Sequence, residues 1–552
     1  VTSSVRVAFL GGLGEIGRNC ALIEQDGRIV VLDCGVLFPN QEMPGVDLVL
    51  PDFSYLRDRK EDIDAIILTH GHEDHVGGLG YLLKDVKAPV FGSSFTLQLA
   101  RGRVEEAGIT GVEMIAVTDG ERRRIGPFDV EFIPVTHSIP HGFATAFHTA
   151  QGVIVHSGDF KIDHTPVDDR RTDLARIGAL ASEPGIRLLL ADSTNAEEPG
   201  YTRSERTVGE TIRQIFAEHP TRRILIACFA SHVHRIQQIA DAAVAHDRRI
   251  ALLGRSMLRN VSIARELGLL TIPERSIVEV EDLDKLAPNE VCVISTGSQG
   301  EPMSALSLLA IGENRRLSVS EGDVVVLSSH AIPGNEWAVS KVIDGLARRG
   351  AIVVHSGIAH VHETGHAKQG ELETLLGVAR PQHFVPVHGE YRHMLRHAHI
   401  AIAMGVDRDR VLLCEDGDVI ELTETGLDYA GEVPSGYLFV DGVIGDIGDT
   451  VLRDRRTLAN EGVVLIVLAV DAHSGVIVTG PEIITRGWVD PPESAKLIEE
   501  ARAAAAKAAI RSIESGAFDG DTLRREVRRA VGKVVSERTK RRPMIVPVVM
   551  EA

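Results

Sequence analysis

The sequence predicts a layered α/β fold on three observations. Apolar runs of strand length alternate with amphipathic helical stretches through the middle of the chain. A hairpin opens it. Several later runs, "VCVISTG", "DVVVLSS" and "AIVVHSG", are continuously apolar, as strands buried on both faces of a parallel sheet must be.

The first strand is "VRVAFL", and the segment after it contains Gly12, Gly14 and Gly17 in the G-x-G-x-x-G spacing of a dinucleotide-binding loop. That reading requires a helix to follow. Instead "NCALIEQDGRIVVLDCG" places two alternating apolar segments around Asp26-Gly27, the signature of a tight hairpin. The acidic residue about 20 positions on would be Asp33, inside or just after the second strand, so the motif match is a coincidence of spacing.

From Asp64 the pattern reads strand "DAIILTH", loop "GHEDHVGG" and helix "LGYLLKD". Strands follow in "FDVEFIPVTH", "GVIVHSGDF" and "RLLLADSTN". Helix "ERTVGETIRQIFAEH", strand "RRILIACFA", helix "HRIQQIADAAVAH" and strand "RRIALLG" continue the alternation. The glycine-rich "GEVPSGYLFVDGVIGDIGD" reads as a connector. Beyond it, "GVVLIVLAVD", "GVIVTGPEII" and the Ala-rich "ESAKLIEEARAAAAKAAIRSI" read as a small separate α/β domain. The last helix, "TLRREVRRAVGKVVSERTKRRPM", is locally basic, either an RNA contact or a solvated face.

At 552 residues the chain holds two to four domains, taking roughly 150 residues for each. Hydrophobic residues at 44% and charged residues at 25% are those of a soluble globular protein, and 4% aromatics leave the cores to aliphatic packing. No apolar run approaches a membrane span and the N-terminus has no signal-peptide pattern, so the expectation is a cytoplasmic protein without a membrane. The five cysteines are odd in number and widely spaced without a C-x-x-C pair, so neither a disulfide framework nor a thiolate zinc site is indicated. A net charge of -19 argues against nonspecific coating of nucleic acid but says little about a local cleft that holds cations.

Histidine is the informative residue, with 23 in the chain. His70, His72, Asp74 and His75 form "THGHEDHVGG", four metal-type ligands in six residues at a strand end. Such a group is not satisfied in an apolar core, whereas a strand-end loop can curl it around a pair of ions. His137 closes "FIPVTH", Asp159 closes "IVHSGD" and His388 closes "HFVPVH", each in a strand-terminal position. Together they make a seven-ligand set of imidazoles and carboxylates suited to two zinc ions, with one carboxylate able to bridge.

On these residues the chain resembles the metallo-β-lactamase-fold nucleases of the β-CASP group, and within them the bacterial ribonuclease J family. The H-x-H-x-D-H run matches the second motif of that superfamily, His137 the third and Asp159 the fourth. Asp192 in "LLADSTNAE", His366 in "HVHETGHA" and His388 in "PVHGEYRH" match the β-CASP marks. "GGLGEIG", "TGSQGEPMSAL", "IPGNE" and "KRRPMI" extend the resemblance nearly end to end.

The resemblance implies an αββα metallo-β-lactamase core with an inserted α/β β-CASP domain and a small α/β C-terminal domain. Mapped onto this chain, the core occupies 1–205 and 351–430, the β-CASP domain 206–350, a linker 431–450 and the C-terminal domain 451–552. It implies one zinc on His70, His72 and His137, and another on Asp74, His75 and His388, with Asp159 bridging. His141 in "HSIPHG" is the rival to His137, which is favoured because it directly follows the strand. Asp74, His366 and Asp192 carry the catalytic expectation: His366 near the scissile phosphate, and Asp192 orienting a partner.

The loop of His362, Glu363, Thr364, Gly365 and His366 resembles the family segment that holds an RNA phosphate. Ser231 and His232 at a strand-to-helix turn resemble the pocket for a 5′ monophosphate or the adjacent nucleotide, with ordinary helix capping by Ser231 as the alternative. Asp47 and Asp441 resemble a structural calcium site.

The implied activity is zinc-dependent 5′-to-3′ exonuclease and endonuclease cleavage of single-stranded RNA in rRNA maturation and mRNA decay, favouring 5′-monophosphate ends. Mg²⁺ or Mn²⁺ in turnover, a homodimer or homotetramer, and association with RNA degradation machinery belong to the same expectation. Three alternatives share parts of the pattern: a β-CASP enzyme acting on DNA, a small-molecule hydrolase, and a non-catalytic RNA scaffold. The last two fit poorly with Asp192, His366 and a complete ligand set.

Overall fold

The predicted hairpin opens the chain: strands Cys20–Gln25 and Arg28–Leu32 pair antiparallel, joined by Asp26 and Gly27 at φ 54° and 75°. Two consecutive left-handed residues are what a type I′ turn requires, so Asp-Gly serves here as it does in hairpins generally. The computed structural model describes residues 3–40, 42–332, 334–442, 445–471, 474, 476–490, 494–515 and 520–551.

Two sheets form the core. The eight-stranded sheet runs Leu427–Glu432, Asp418–Leu422, Val5–Gly11, Cys20–Gln25, Arg28–Leu32, Ile63–Ile67, Val90–Gly92 and Met114–Ala116. The six-stranded sheet runs His383–Val387, Ile186–Asp192, Gly152–His156, Gly142–Thr149, Phe128–Val135 and Arg122–Ile125. Their inner faces share one apolar cluster in which Phe9, Ile23 and Ile67 of the first meet Phe132, Phe147, Leu188 and Val385 of the second. Strand alternation thus buries one side of each sheet against the other. The outer face of the six-stranded sheet is covered by helices Leu174–Ser182, Gln369–Ala379 and Tyr391–Ala403 through Ile177, Leu180, Leu372, Leu376 and Ile400. This is the αββα core that the resemblance implies.

In sequence between the paired core strands Ile186–Asp192 and His383–Val387, the insert forms an all-parallel sheet in the order Arg249–Leu253, Val291–Ser295, Ile224–Ala227, Val324–Leu327 and Ile352–Val354. Both faces are buried, under helices that include Val233–Ala245 on one side and Ala305–Ile311 and Glu336–Arg348 on the other. That accounts for the continuously apolar strands. The expected return to the core at residue 351 differs from what is observed, since Ile352–Val354 pairs with Val324–Leu327 as the edge strand of the insert. A helix followed by a short apolar run is the pattern of one more crossover, and the sequence pattern alone does not say which sheet the strand joins.

The chain divides into two compact units, Val1–Leu37 with Leu50–Tyr437, and Phe38–Val49 with Leu438–Ala552. Core and insert share the first. In the second, strands Ile477–Arg486, Val463–Val470 and Met544–Glu551 form a sheet covered by helices Ala495–Glu514 and Gly520–Thr539. Ala501, Ala505 and Ala509 on one helix and Leu523, Val527, Val531 and Val535 on the other are buried, a stripe at four-residue spacing facing the sheet. The stretch 431–450, read as a connector, carries more regular structure than expected: strands Tyr437–Asp441 and Gly445–Ile447 pair antiparallel within it. Among the described residues no helix is long and apolar enough to cross a membrane.

Candidate metal centre

Each residue of the seven-ligand set follows a strand of one of the two core sheets. His70 follows Ile63–Ile67, and His72 sits at the N-cap of the short helix Glu73–Val76, which carries Asp74 and His75. His137 follows Phe128–Val135, Asp159 follows Gly152–His156, and His388 follows His383–Val387. Backbone crowding brings the loops together: a Cβ on Gly35 would stand 1.6 Å from the Asp74 carbonyl, so only glycine admits the metal-type loop at this depth. His388 adopts φ 52°, an uncommon conformation for a residue with a side chain and one that surrounding contacts must hold.

The seven side chains converge in two groups: His70, His72, His137 and Asp159, and Asp74, His75, Asp159 and His388. Within each, one ligand atom per residue lies within 4.8 Å of all the others. His72 Nδ1 is 3.1 Å from His70 Nε2 and 3.2 Å from His137 Nε2. Asp159 Oδ2 lies 3.5 Å from His70 Nε2, 3.2 Å from His75 Nε2 and 3.5 Å from His388 Nε2, so one oxygen faces both groups. Asp74 Oδ2 stands 3.6 Å from His75 Nε2 and 3.4 Å from His388 Nε2. His141, the rival to His137, belongs to neither group.

The two halves differ electrically. Burial pushes His70 and His137 well below the ordinary imidazole value and His72 down to about 4, so three neutral rings turn lone pairs toward one another. In the other half, burial works in the same direction on His75 and His388 but is overridden by carboxylates, Asp159 first. His388 rises to about 9 and His75 well above its usual value. For Asp74 and Asp159, burial, which would raise a carboxyl, is outweighed chiefly by His75 and His388, and both are held as carboxylates.

The outward nitrogens are held as metal-binding imidazoles require. His75 Nδ1 is 2.7 Å from Asp33 Oδ2, and Asp33 in turn accepts from the Thr69 N–H and hydroxyl at 2.7 and 2.8 Å. His137 Nδ1 donates to the Gly365 carbonyl at 2.8 Å. The Thr194 hydroxyl lies 2.8 Å from His388 Nδ1 and donates to Asp192 Oδ1 at 2.7 Å. Sequence reading missed Asp33 and Thr194 in these positions. The available signal was that each stands at or just past the end of an apolar strand, in "VLDCG" and "ADST", as the ligands do.

His366 Nδ1 is 2.7 Å from Asp192 Oδ2, so the partner that Asp192 orients is His366. Burial would lower His366, but the Asp192 carboxylate raises it. The glycine loop, too, lies beside the centre: Leu13–Gly14 pairs with Gly389–Glu390, next to His388, and the strand Cys20–Gln25 follows it where a dinucleotide fold would have a helix.

Residues 361–366 join this centre to the insert. Gly365 packs so close to His137 that a Cβ would stand 2.7 Å from the ring. The Thr364 hydroxyl, expected to face a phosphate, accepts from Asn195 Nδ2 at 2.9 Å and from the His366 N–H at 3.2 Å, and so braces the loop itself. Glu363 is buried, with Oε2 3.7 Å from His360 Nε2. His362 Nδ1 is buried without a hydrogen-bond partner among the described residues, and burial lowers that ring well below its ordinary value. The cap of helix Val233–Ala245 is His232, whose ring accepts from the Arg235 N–H at 3.4 Å, so the alternative in which Ser231 merely caps this helix is not what the structure shows.

Asp47 and Asp441 come near one another, as Asp47 N–H donates to the Val440 carbonyl at 2.8 Å, but their partners are those of a surface turn. Asp441 pairs with Arg455 at 2.9 Å and Asp47 accepts from the Gly442 N–H at 2.7 Å. A guanidinium thus already pairs with Asp441, one of the two aspartates expected at a calcium site.

Four family models match the chain. They are the metallo-beta-lactamase superfamily over residues 13–193, the ribonuclease J beta-CASP domain over 221–346, the Zn-dependent metallo-hydrolase RNA specificity domain over 351–407, and the ribonuclease J C-terminal domain over 450–552. Ribonuclease J of Mycobacterium tuberculosis (strain H37Rv) is 43% identical over 554 residues, covering 100% of this chain and 98% of its own. Ribonuclease J2 of Bacillus subtilis is 39% identical, covering 100% and 99%. Ribonuclease J of Thermus thermophilus is also 39% identical, covering 99% and 95%. A solved structure of a protein of unknown function from Enterococcus faecalis V583 shares the fold, with TM-score 0.54 and 16% identity over 76% of this chain and 100% of that one. With relatives matched along their whole length and four domain models in register, the chain belongs to the ribonuclease J family, metal-dependent nucleases built on a metallo-β-lactamase fold with a β-CASP insert.

Proposed function

We propose that this chain hydrolyses phosphodiester bonds of single-stranded RNA with two zinc ions, both from the 5′ end and internally. The observation that carries this is the pair of donor groups sharing Asp159. Imidazole and carboxylate donors without thiolate suit zinc, and converging neutral lone pairs with anchored outer nitrogens fit a resident cation. His70, His72 and His137 would hold one ion and Asp74, His75 and His388 the other, with Asp159 shared; manganese or magnesium in turnover would use the same oxygens. When bound, the ions supply Lewis acidity, acidifying a water and drawing charge off phosphoryl oxygens.

The chain's own groups then have definite tasks. Asp192 fixes the His366 ring and raises its proton affinity, leaving Nε2 to donate a proton to the leaving oxygen. Asp74, ionised and the more exposed of the two carboxylates in the set, is available to accept a hydrogen bond from the attacking water and so orient it. We assign Ser231 and His232, together with His362, to the 5′ end. Preference for a monophosphate there, and assembly as a dimer or tetramer, rest on the family resemblance.

The test is cleavage of matched 5′-labelled RNA and DNA by one preparation whose zinc is quantified. We expect RNA to be cut in preference to DNA with about two zinc ions per chain. His72→Ala should remove cleavage and lower the zinc content with an unchanged circular dichroism spectrum. Wild-type rates persisting after exhaustive chelation would overturn the reading.

A further inference from the structure

In a chain of net charge -19, residues 520–542 carry nine Lys or Arg against three acidic residues, Asp521, Glu526 and Glu537. All nine cations are exposed. Their placement follows from how helix Gly520–Thr539 packs: Leu523, Val527, Val531 and Val535 are buried against the sheet of the second unit, and this register turns Arg524, Arg525, Arg528 and Arg529 to solvent. Some cations are locally balanced, Arg524 by Asp521, Lys533 by Glu537, Arg538 by Glu500 and Arg541 by Glu461. Among the described residues no carboxylate ion pair is formed by Arg525, Arg529, Lys540 or Arg542.

We infer that this strip is a second binding site for the RNA backbone, apart from the metal centre. The inference rests on the ribonuclease reading for the identity of the polyanion. Arg525 and Arg529 are one helical turn apart, about 6 Å along the axis, a repeat that adjacent phosphates of an extended strand can follow. Arginine forks suit phosphate oxygens, and contacts confined to the backbone hold RNA of any sequence, as a degradative enzyme needs. An anionic membrane is the other polyanion, but a helix lying on lipid needs an apolar face to bury, and here that face is already spent on the sheet: Leu523, Val527 and Val531 are 0% exposed and Val535 is 1%.

The experiment compares full-length His72→Ala protein, unable to cleave, with the same protein carrying Arg525→Gln and Arg529→Gln. Binding to an unstructured RNA of about 30 nucleotides is measured across a salt series, where each phosphate contact contributes about 0.7 to the slope of log K against log salt. We expect the slope to become shallower by about 1.4, with an unchanged melting temperature. In the cleavage-competent background the two substitutions should raise KM for RNA and leave kcat and zinc content unchanged. An unchanged slope overturns the proposal, as does phosphatidylserine-vesicle binding that depends on both arginines while RNA binding does not. If the slope falls but the cleavage-competent protein cuts no RNA, the ribonuclease reading fails and the strip stands. If RNA is cut and the slope is unchanged, the strip alone fails.

Discussion

Asp33 shows how one carboxylate organises the centre without belonging to either donor group. It holds His75 Nδ1 at 2.7 Å and is itself held by two bonds from Thr69, the residue before His70. Through that contact the outward edge of one imidazole and the start of the ligand loop share a single anchor. Asp33→Asn keeps the shape but exchanges an anionic acceptor for an amide, which weakens both the orientation and the basicity of the ring. We expect zinc affinity to fall about 10- to 100-fold, measured by competition with a chromophoric chelator, while cleavage at saturating zinc largely recovers. An affinity equal to wild type would show that Asp33 acts only as a loop brace.

Among the elements, helix Val233–Ala245 and the strap of residues 361–366 are coupled by Arg235. Its guanidinium, 0% exposed, donates to both Glu205 oxygens at 2.6 and 2.9 Å, to the Ser328 carbonyl at 3.0 Å and to the Val361 carbonyl at 2.9 Å. Glu205 opens helix Glu205–Glu218 just before the insert sheet, and its N–H donates to Asp163 of the core at 3.0 Å. One arginine therefore ties the chain's departure from the core to its return. Burial would raise the Glu205 carboxyl, but Arg235 and His232 hold it well below its usual value. Removing one member of such a pair strands the other charge, so Arg235→Met should cost about 3–5 kcal/mol, read as a lower midpoint in urea. The double variant Glu205→Leu/Arg235→Met should cost less than the two single changes added together. Strict additivity would mean that the pair contributes no coupling.

For the whole molecule, the metal-type residues come from both core sheets, so an ion bound between them joins strands that are far apart in sequence. Binding to the folded state alone adds stability, about 4 kcal/mol at free zinc 1,000 times Kd. Protons compete with zinc: in the metal-free centre Asp159 and Asp74 keep His388 protonated up to about 9, and that proton must leave before the nitrogen can coordinate. Zinc affinity is therefore expected to rise with pH, and the zinc-induced rise in melting temperature should be larger at pH 8 than at pH 6. Equal shifts at the two values would mean that His388 does not exchange a proton for the ion.

The share of this that could be read from residues alone follows physical range. The Asp26-Gly27 turn, the H-x-H-x-D-H loop at the end of Ile63–Ile67 and the buried parallel strands of the insert are set by spacing, backbone freedom and local polarity, all contained in short stretches of chain. His137, Asp159 and His388 are legible only as strand ends, and their convergence within 4.8 Å depends on which strands lie side by side. The same limit explains why the pattern leaves open which sheet Ile352–Val354 joins and whether Ser231 caps its helix, and gives Asp33 no role beyond that of a rejected nucleotide ligand. By itself the sequence determined the residue chemistry, the alternation of elements and the strand-end position of each metal-type residue. Only the tertiary structure decided that one Asp159 oxygen faces both donor groups, that Asp192 serves His366, and that Arg235 links the two crossings, because those contacts join residues up to hundreds of positions apart and exist only after the sheets have packed.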